Sequence, residues 1–152
     1  MTIVTGKTRV LLVEDHELLR AGLRALLESD TDVEVLGETG SGEEAVELCQ
    51  KLRPDVVVMD LRMAGMGGVE ATRRICRSCA QSRVLALTME PEEESLLEVI
   101  DAGATGYLRK TAVETMLLPA LHAVAKGELY ANDALIKSLR KAKQYNTPPP
   151  PM

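Results

Sequence analysis

The sequence predicts a doubly wound α/β domain, a five-stranded parallel sheet with five helices packed on its faces. Three observations predict it. The stretch Asp55-Val56-Val57-Val58-Met59-Asp60 sets four apolar residues, three of them β-branched, between Pro54 and the glycine-rich turn Gly65-Met66-Gly67-Gly68. An apolar run of that length between breakers reads as a strand buried on both faces. Short apolar runs then alternate with helix-patterned stretches from Thr8 to about Gly127, the order expected of βα units. Finally, 152 residues with 45% apolar content suffice for one domain with a substantial core.

The elements follow in chain order. Residues 1–7 read as a leader. Thr8–Val13 is the first strand and runs into Glu14-Asp15. Residues 16–28 are a helix, with Leu19, Leu23, Leu26 and Leu27 on one side. Val33–Thr39 is a more polar strand, expected nearer the sheet edge. Gly40-Ser41-Gly42 leads into a helix over about 43–52, with Ala45, Val46, Cys49 and Leu52 inward. The Asp60 strand is third, and a helix over about 68–78 follows its glycine turn. Arg83–Leu87 is the fourth strand, ending at Thr88, and Glu92–Asp101 the fourth helix, stopped by Gly103. Thr105–Leu108 is the fifth strand, next to Lys110, and the fifth helix spans about 112–126. Thr111 with Glu114 fits a capping box for that helix, while Pro119 inside it removes a hydrogen bond and predicts a kink. A sixth helical piece fits residues 131–143, before a polyproline tail.

Composition narrows the function. With no Trp or Phe and three Tyr, aromatic stacking on bases is not available. The formal charge of −5 is uneven: residues 128–152 carry +2 and residues 1–127 carry −7, which argues against DNA binding by the body. Cys49, Cys76 and Cys79 form no disulfide framework, and the lone C-x-x-C lacks partners, so reduced, partly buried thiols are expected. Neither a signal peptide nor an apolar run of transmembrane length stands out, so a soluble cytoplasmic protein with no membrane contact is expected.

Four of the five strands end in polar groups: Glu14 and Asp15, Asp60, Thr88, and Lys110. In a parallel sheet these ends share one edge, where open α/β folds hold ligands. Three carboxylates there repel one another unless a hard divalent cation and Lys110 offset them, and a site with few protein oxygens suits Mg²⁺. Asp60 is then the candidate nucleophile toward phosphorus, Glu14 and Asp15 the metal ligands, and Thr88 and Lys110 the groups that meet phosphoryl oxygens.

The segments Val13-Glu14-Asp15-His16, Val58-Met59-Asp60-Leu61-Arg62-Met63, Leu87-Thr88 and Gly103-Ala104-Thr105-Gly106-Tyr107-Leu108-Arg109-Lys110 together resemble the receiver domain of two-component response regulators. Leu87-Thr88-Met89 and Gly127-Glu128-Leu129-Tyr130 are similar to the LuxR/NarL-type subgroup, whose output is a helix-turn-helix. The resemblance implies a flavodoxin-like fold of strand order 2-1-3-4-5. It implies phosphorylation of Asp60 by a sensor histidine kinase, with Mg²⁺ held by Glu14, Asp15, Asp60 and the backbone carbonyl of Arg62. It implies that Thr88 and Lys110 bind the phosphoryl group. Thr88 and Tyr107 would form the switch, the ring turning inward, read out on the face of the fourth helix, fifth strand and fifth helix. It divides the chain into a leader (1–7), a receiver domain (8–127) and a linker helix with its proline tail (128–152). The subgroup's DNA-binding domain is expected to be absent from these residues, and DNA to be met only through such a domain.

Two positions depart from the family pattern, Ala64 and Thr111, each standing where many members have proline. No cis peptide is expected before Thr111, because without proline it would cost about 3 kcal/mol. Rival readings are a stand-alone docking module and an Mg²⁺-dependent phosphohydrolase. The latter wants an acid/base two residues after the nucleophile, and Arg62 stands there. Gly40-Ser41-Gly42-Glu43-Glu44-Ala45 matches a dinucleotide fingerprint, but two carboxylates sit where a pyrophosphate would bind, so a tight turn is simpler. His16 is expected to be exposed, and Met63, Met66 and Met89 to fill gaps. Leu18, Leu117, Leu118 and Leu121 fit either a homodimer face or the core.

Overall fold

The elements of the computed structural model, which describes residues 6–89 and 93–131, are set by where apolar runs meet caps and breakers. They are β1 (Thr8–Val13), α1 (Glu17–Glu28), β2 (Val33–Thr39), α2 (Gly42–Leu52), β3 (Val56–Asp60), α3 (Gly68–Ser78), β4 (Arg83–Thr88), α4 (Glu93–Ala102), β5 (Gly106–Arg109), a 3₁₀ turn (Lys110–Ala112) and α5 (Val113–Ala125). The five strands form one parallel sheet, β2-β1-β3-β4-β5, the flavodoxin-like order. Residues 1–5, Glu92, and the expected helix and proline tail beyond Ala131 lie outside the described residues.

Strand alternation sorts the core into two layers. Leu11, Val13, Val57 and Met59 face α2, α3 and α4, joined by Ala45, Cys49, Ala71 and Ile75. Val10, Leu12, Val56 and Val58 face α1 and α5, joined by Leu23, Leu27, Leu117 and Leu121. β3 is buried along its whole length, as its apolar run requires, and the more polar β2 lies at an edge. Leu117 and Leu121 belong to the core and Leu118 packs partly against it, whereas Leu18 faces solvent. Met63 and Met66 pack against the first layer, as gap fillers should; Met89 is exposed.

Local chemistry accounts for the helix starts. His16 stays outside α1 and caps it, its Nδ1 accepting from the Leu19 N–H at 3.2 Å. Ser41 caps α2, accepting from the Glu44 N–H at 3.2 Å while its hydroxyl donates to the Glu43 carboxylate. The Gly40–Gly42 stretch is therefore a capped turn with a carboxylate already against it. The expected Thr111–Glu114 capping box does not form. The 3₁₀ turn over Lys110–Ala112 shifts the start of α5, so Ala112 becomes its cap, with no side-chain hydrogen bond. Pro119 lies within α5 without ending it. The three cysteines are free thiols; Cys49 donates to the Ser82 hydroxyl at 3.4 Å, and burial pushes it up to about 12.

Two glycines separate steric need from helix propensity. A Cβ on Gly68 would strike the Asp60 carbonyl oxygen and lie 2.7 Å from the Leu61 Cα, both backbone and unable to yield. A Cβ on Gly22, exposed within α1, would meet nothing within 4 Å. Gly68→Ala is expected to lower stability to urea by about 2 kcal/mol or more. Gly22→Ala should raise it by about 0.5 kcal/mol. Equal midpoints for the two variants would refute this steric assignment.

Candidate functional site

The strand ends assemble the site. β1 delivers Glu14 and Asp15 one and two residues beyond its last ladder position, and the Glu14 N–H donates to the Thr39 carbonyl at 2.9 Å. β3 ends on Asp60, whose Oδ1 accepts from the Arg62 N–H at 3.1 Å. β4 ends on Thr88, one residue past Leu87, the ladder partner of Asp60, so its buried hydroxyl residue belongs to the same edge. Lys110 follows β5 directly.

Lys110 makes the central contacts. Its ammonium lies 3.0 Å from Asp60 Oδ1 and 3.1 and 3.3 Å from the two oxygens of Glu14. Glu14 is fully buried, the Asp60 carboxylate nearly so, and the Lys110 side chain is 11% exposed. Asp15 is exposed. One oxygen each from Glu14, Asp15 and Asp60 falls within 4.8 Å of the others. All three donors are hard carboxylate oxygens, the set that suits Mg²⁺ over softer metals. They open onto a cleft of about 650 Å³ that is also lined by Arg62, Met89 and Leu18.

The electrostatics follow from burial and crowding. Burial, then hydrogen bonding to Asp60, pushes the Glu14 carboxyl up to about 7, although Lys110 pulls the other way. Burial would lower Lys110, but its hydrogen bonds to Asp60 and Glu14 outweigh that and hold it above the usual lysine value. The ammonium is therefore a fixed charge, while the acidic cluster carries more negative charge than one lysine can offset.

The site residues expected from the sequence thus converge on one edge, with Tyr107 behind it. Tyr107 is 2% exposed, and its hydroxyl donates to the Ala104 carbonyl at 2.6 Å. Arg20 escaped the sequence reading. Its Nη1 donates to the Glu14 carbonyl at 2.8 Å and fixes the acidic turn from the far side. Gly40 makes room for it, since a Cβ there would lie 2.9 Å from that nitrogen and 3.2 Å from the Asp15 Cα. The available signal was direction: helical side chains lean toward the helix N-terminus, so a long cation in the first turn of α1 points back at the strand end.

The shift on Glu14 has a sign. An ordinary value of 4.5 applies to the unfolded chain and about 7 to the fold. Between these values the folded protein holds a proton that the unfolded chain releases, so stability falls as pH rises through this window. Without divalent cations, urea titrations should record a loss on the order of 2 kcal/mol between pH 4.5 and 7, and Glu14→Gln should flatten it. A wild-type profile as flat as the variant's would contradict the assignment.

Comparison with known proteins matches this geometry. The profile of the response regulator receiver domain matches residues 10–122. The transcriptional regulatory protein LiaR of Bacillus subtilis (strain 168) is 46% identical over 120 residues, covering 79% of this chain and 57% of LiaR. The response regulator UvrY of Escherichia coli (strain K12) is 46% identical over 121 residues, 80% of this chain and 56% of UvrY. The chain therefore spans little more than half the length of these curated relatives. The crystal structure of a LuxR-family two-component response regulator from Aurantimonas sp. SI85-9A1 superposes with a TM-score of 0.84 at 33% identity, covering 91% of this chain and 99% of that one. By this profile, these relatives and this superposition, the chain belongs to the response regulator receiver domain family.

Proposed function

We propose that this receiver domain accepts a phosphoryl group on Asp60 from a sensor histidine kinase and thereby controls transcription through an output domain. The observation that carries the reading is the Lys110 ammonium bridging Asp60 and Glu14 at the strand-end edge. Asp60 Oδ1 is held by Lys110 and the Arg62 N–H, which orients the carboxylate that attacks phosphorus. A P–N bond to the donor imidazole breaks as the P–O bond to Asp60 forms, and the imidazole keeps the electron pair. Lys110 and Thr88 meet the phosphoryl oxygens, Lys110 by charge and Thr88 by its hydroxyl. Glu14, Asp15, Asp60 and the Arg62 carbonyl would hold Mg²⁺. Bound there, it would supply positive charge that offsets the repulsion of the attacking carboxylate and the incoming phosphoryl group.

Thr88 and Tyr107 form the switch that reports the modification to the α4-β5-α5 face. The protein acts as a phosphoacceptor and not as a turnover enzyme, because Arg62 stands where a hydrolase of this chemistry needs an acid/base. Residues 8–127 serve as the receiver and residues from 128 onward as the link to a DNA-binding output. The relatives that are transcriptional and response regulators support that role. No helix among the described residues is long and apolar enough to cross a membrane, and we place the protein in the cytoplasm, where its kinase donor resides.

Incubation with a small phosphodonor and Mg²⁺ should add one phosphoryl group by intact mass. The addition should vanish in Asp60→Ala and on chelation of the metal. An unmodified wild type, or a modified Asp60→Ala, would sink the proposal.

A further inference from the structure

β5 is the last strand of the sheet, yet its outer edge is not bare. The chain leaves α5 through Gly127, at φ +88°, and the Glu128 N–H donates back to the Ala123 carbonyl, closing the helix end. The chain then runs parallel to β5 and pairs with it. The Tyr130 N–H donates to the Thr105 carbonyl at 3.1 Å, the Tyr107 N–H donates to the Tyr130 carbonyl at 2.9 Å, and Gly106 and Tyr130 form a parallel bridge. The two flanking side chains straddle the sheet. Tyr130 packs against the layer under α1 and α5, and Ala131 against the opposite layer.

We propose that the outer edge of β5 is a docking surface for the chain's own segment Glu128–Ala131, and that the Tyr107 ring governs whether this strap stays docked. The segment takes up the two backbone groups, Thr105 C=O and Tyr107 N–H, that an edge strand would otherwise leave open to another chain. Both lie within the span closed by the hydrogen bond from the Tyr107 hydroxyl to the Ala104 carbonyl. With the ring inward, that tie fixes residues 104–107 in the conformation that presents both groups to Tyr130. A ring turned outward releases Ala104 and loosens the docking edge. The strap thus carries the state of Tyr107 directly into the chain that follows α5, with no intervening helix movement. The coupling to Asp60 rests on the switch reading given above; the contact itself does not.

Amide hydrogen exchange on the full chain tests the contact. In the wild type, the Tyr107 and Tyr130 amides should be protected. Tyr107→Ala should speed exchange at Tyr130 about tenfold more than it speeds core amides such as Val58. Tyr107→Phe keeps the ring and loses only the Ala104 tie, so it covers the case in which the alanine variant fails to fold; it should speed Tyr130 exchange about threefold. An unprotected Tyr130 amide in the wild type, or unchanged exchange in Tyr107→Phe, overturns the proposal.

A fluoroberyllate phosphoryl mimic with Mg²⁺ tests the coupling. Its binding should slow exchange at Tyr130, and by linkage Tyr130→Pro should weaken mimic binding by the same factor, about threefold. Mimic that binds without slowing Tyr130, or equally to Tyr130→Pro, overturns the coupling. Mimic that does not bind the wild type at all counts against the phosphoacceptor reading instead, and the two Tyr107 variants then still decide the strap.

Discussion

One buried ammonium shared by two carboxylates governs the strand-end edge of this protein. Lys110 lies within 3.1 Å of both Asp60 and Glu14, which are otherwise shut away from water. Two unit charges about 4 Å apart interact by roughly 4 kcal/mol at the effective dielectric of a protein surface, so the acids would drive each other apart unaided. Desolvating all three groups erodes much of the attraction, so the cluster is a poor device for stability. Its position at the mouth of a parallel sheet, beside a third carboxylate, gives it a chemical purpose instead.

The contact depends on topology at long range. Glu14 and Lys110 are separated by 96 positions in sequence. They meet because β1 and β5 run the same way in one sheet, and their C-terminal ends leave it on the same side. The loops must then pass closely. Gly40 lets the Arg20 guanidinium reach the Glu14 carbonyl, and Gly68 lets α3 begin against the Asp60 carbonyl. A side chain at either glycine would press on the turn that carries an acid, so both belong to the site as much as to the fold.

The other candidate chemistries lose ground on the same physical terms. The three thiols lie among apolar side chains, and burial holds Cys49 and Cys76 above the usual thiol range, away from the thiolate that redox or metal chemistry needs. In the G-x-G-x-x-A stretch the Ser41 hydroxyl already donates to Glu43, whose carboxylate would repel a pyrophosphate where the fingerprint would bind one. The cleft over Asp60 sets three carboxylate donors within reach of one another beside a fixed cation and open space.

Much of this was legible in one dimension because it is periodic or terminal. The Val56–Met59 run announces a doubly buried strand, the leucines of α1 announce its inward face, and a polar residue after each apolar run marks the sheet edge. The strand-end rule places Glu14, Asp15, Asp60, Thr88 and Lys110 on one edge, and the fold gathers them there. It could not find what depends on distance between elements. Local pattern offered Thr111 as a cap, but the backbone tightened into a 3₁₀ turn and took Ala112 instead. It left Leu117, Leu118 and Leu121 undecided between core and surface, and packing of α5 on the sheet settled that Leu117 and Leu121 are core. It was silent on Arg20 behind the acidic turn and on Tyr130 along β5, because neither contact leaves a periodic trace. Residue order carries the kind of element and the chemistry at its end; which ends touch, and what holds them there, emerges only when close packing and the pairing of backbone groups act on the whole chain at once.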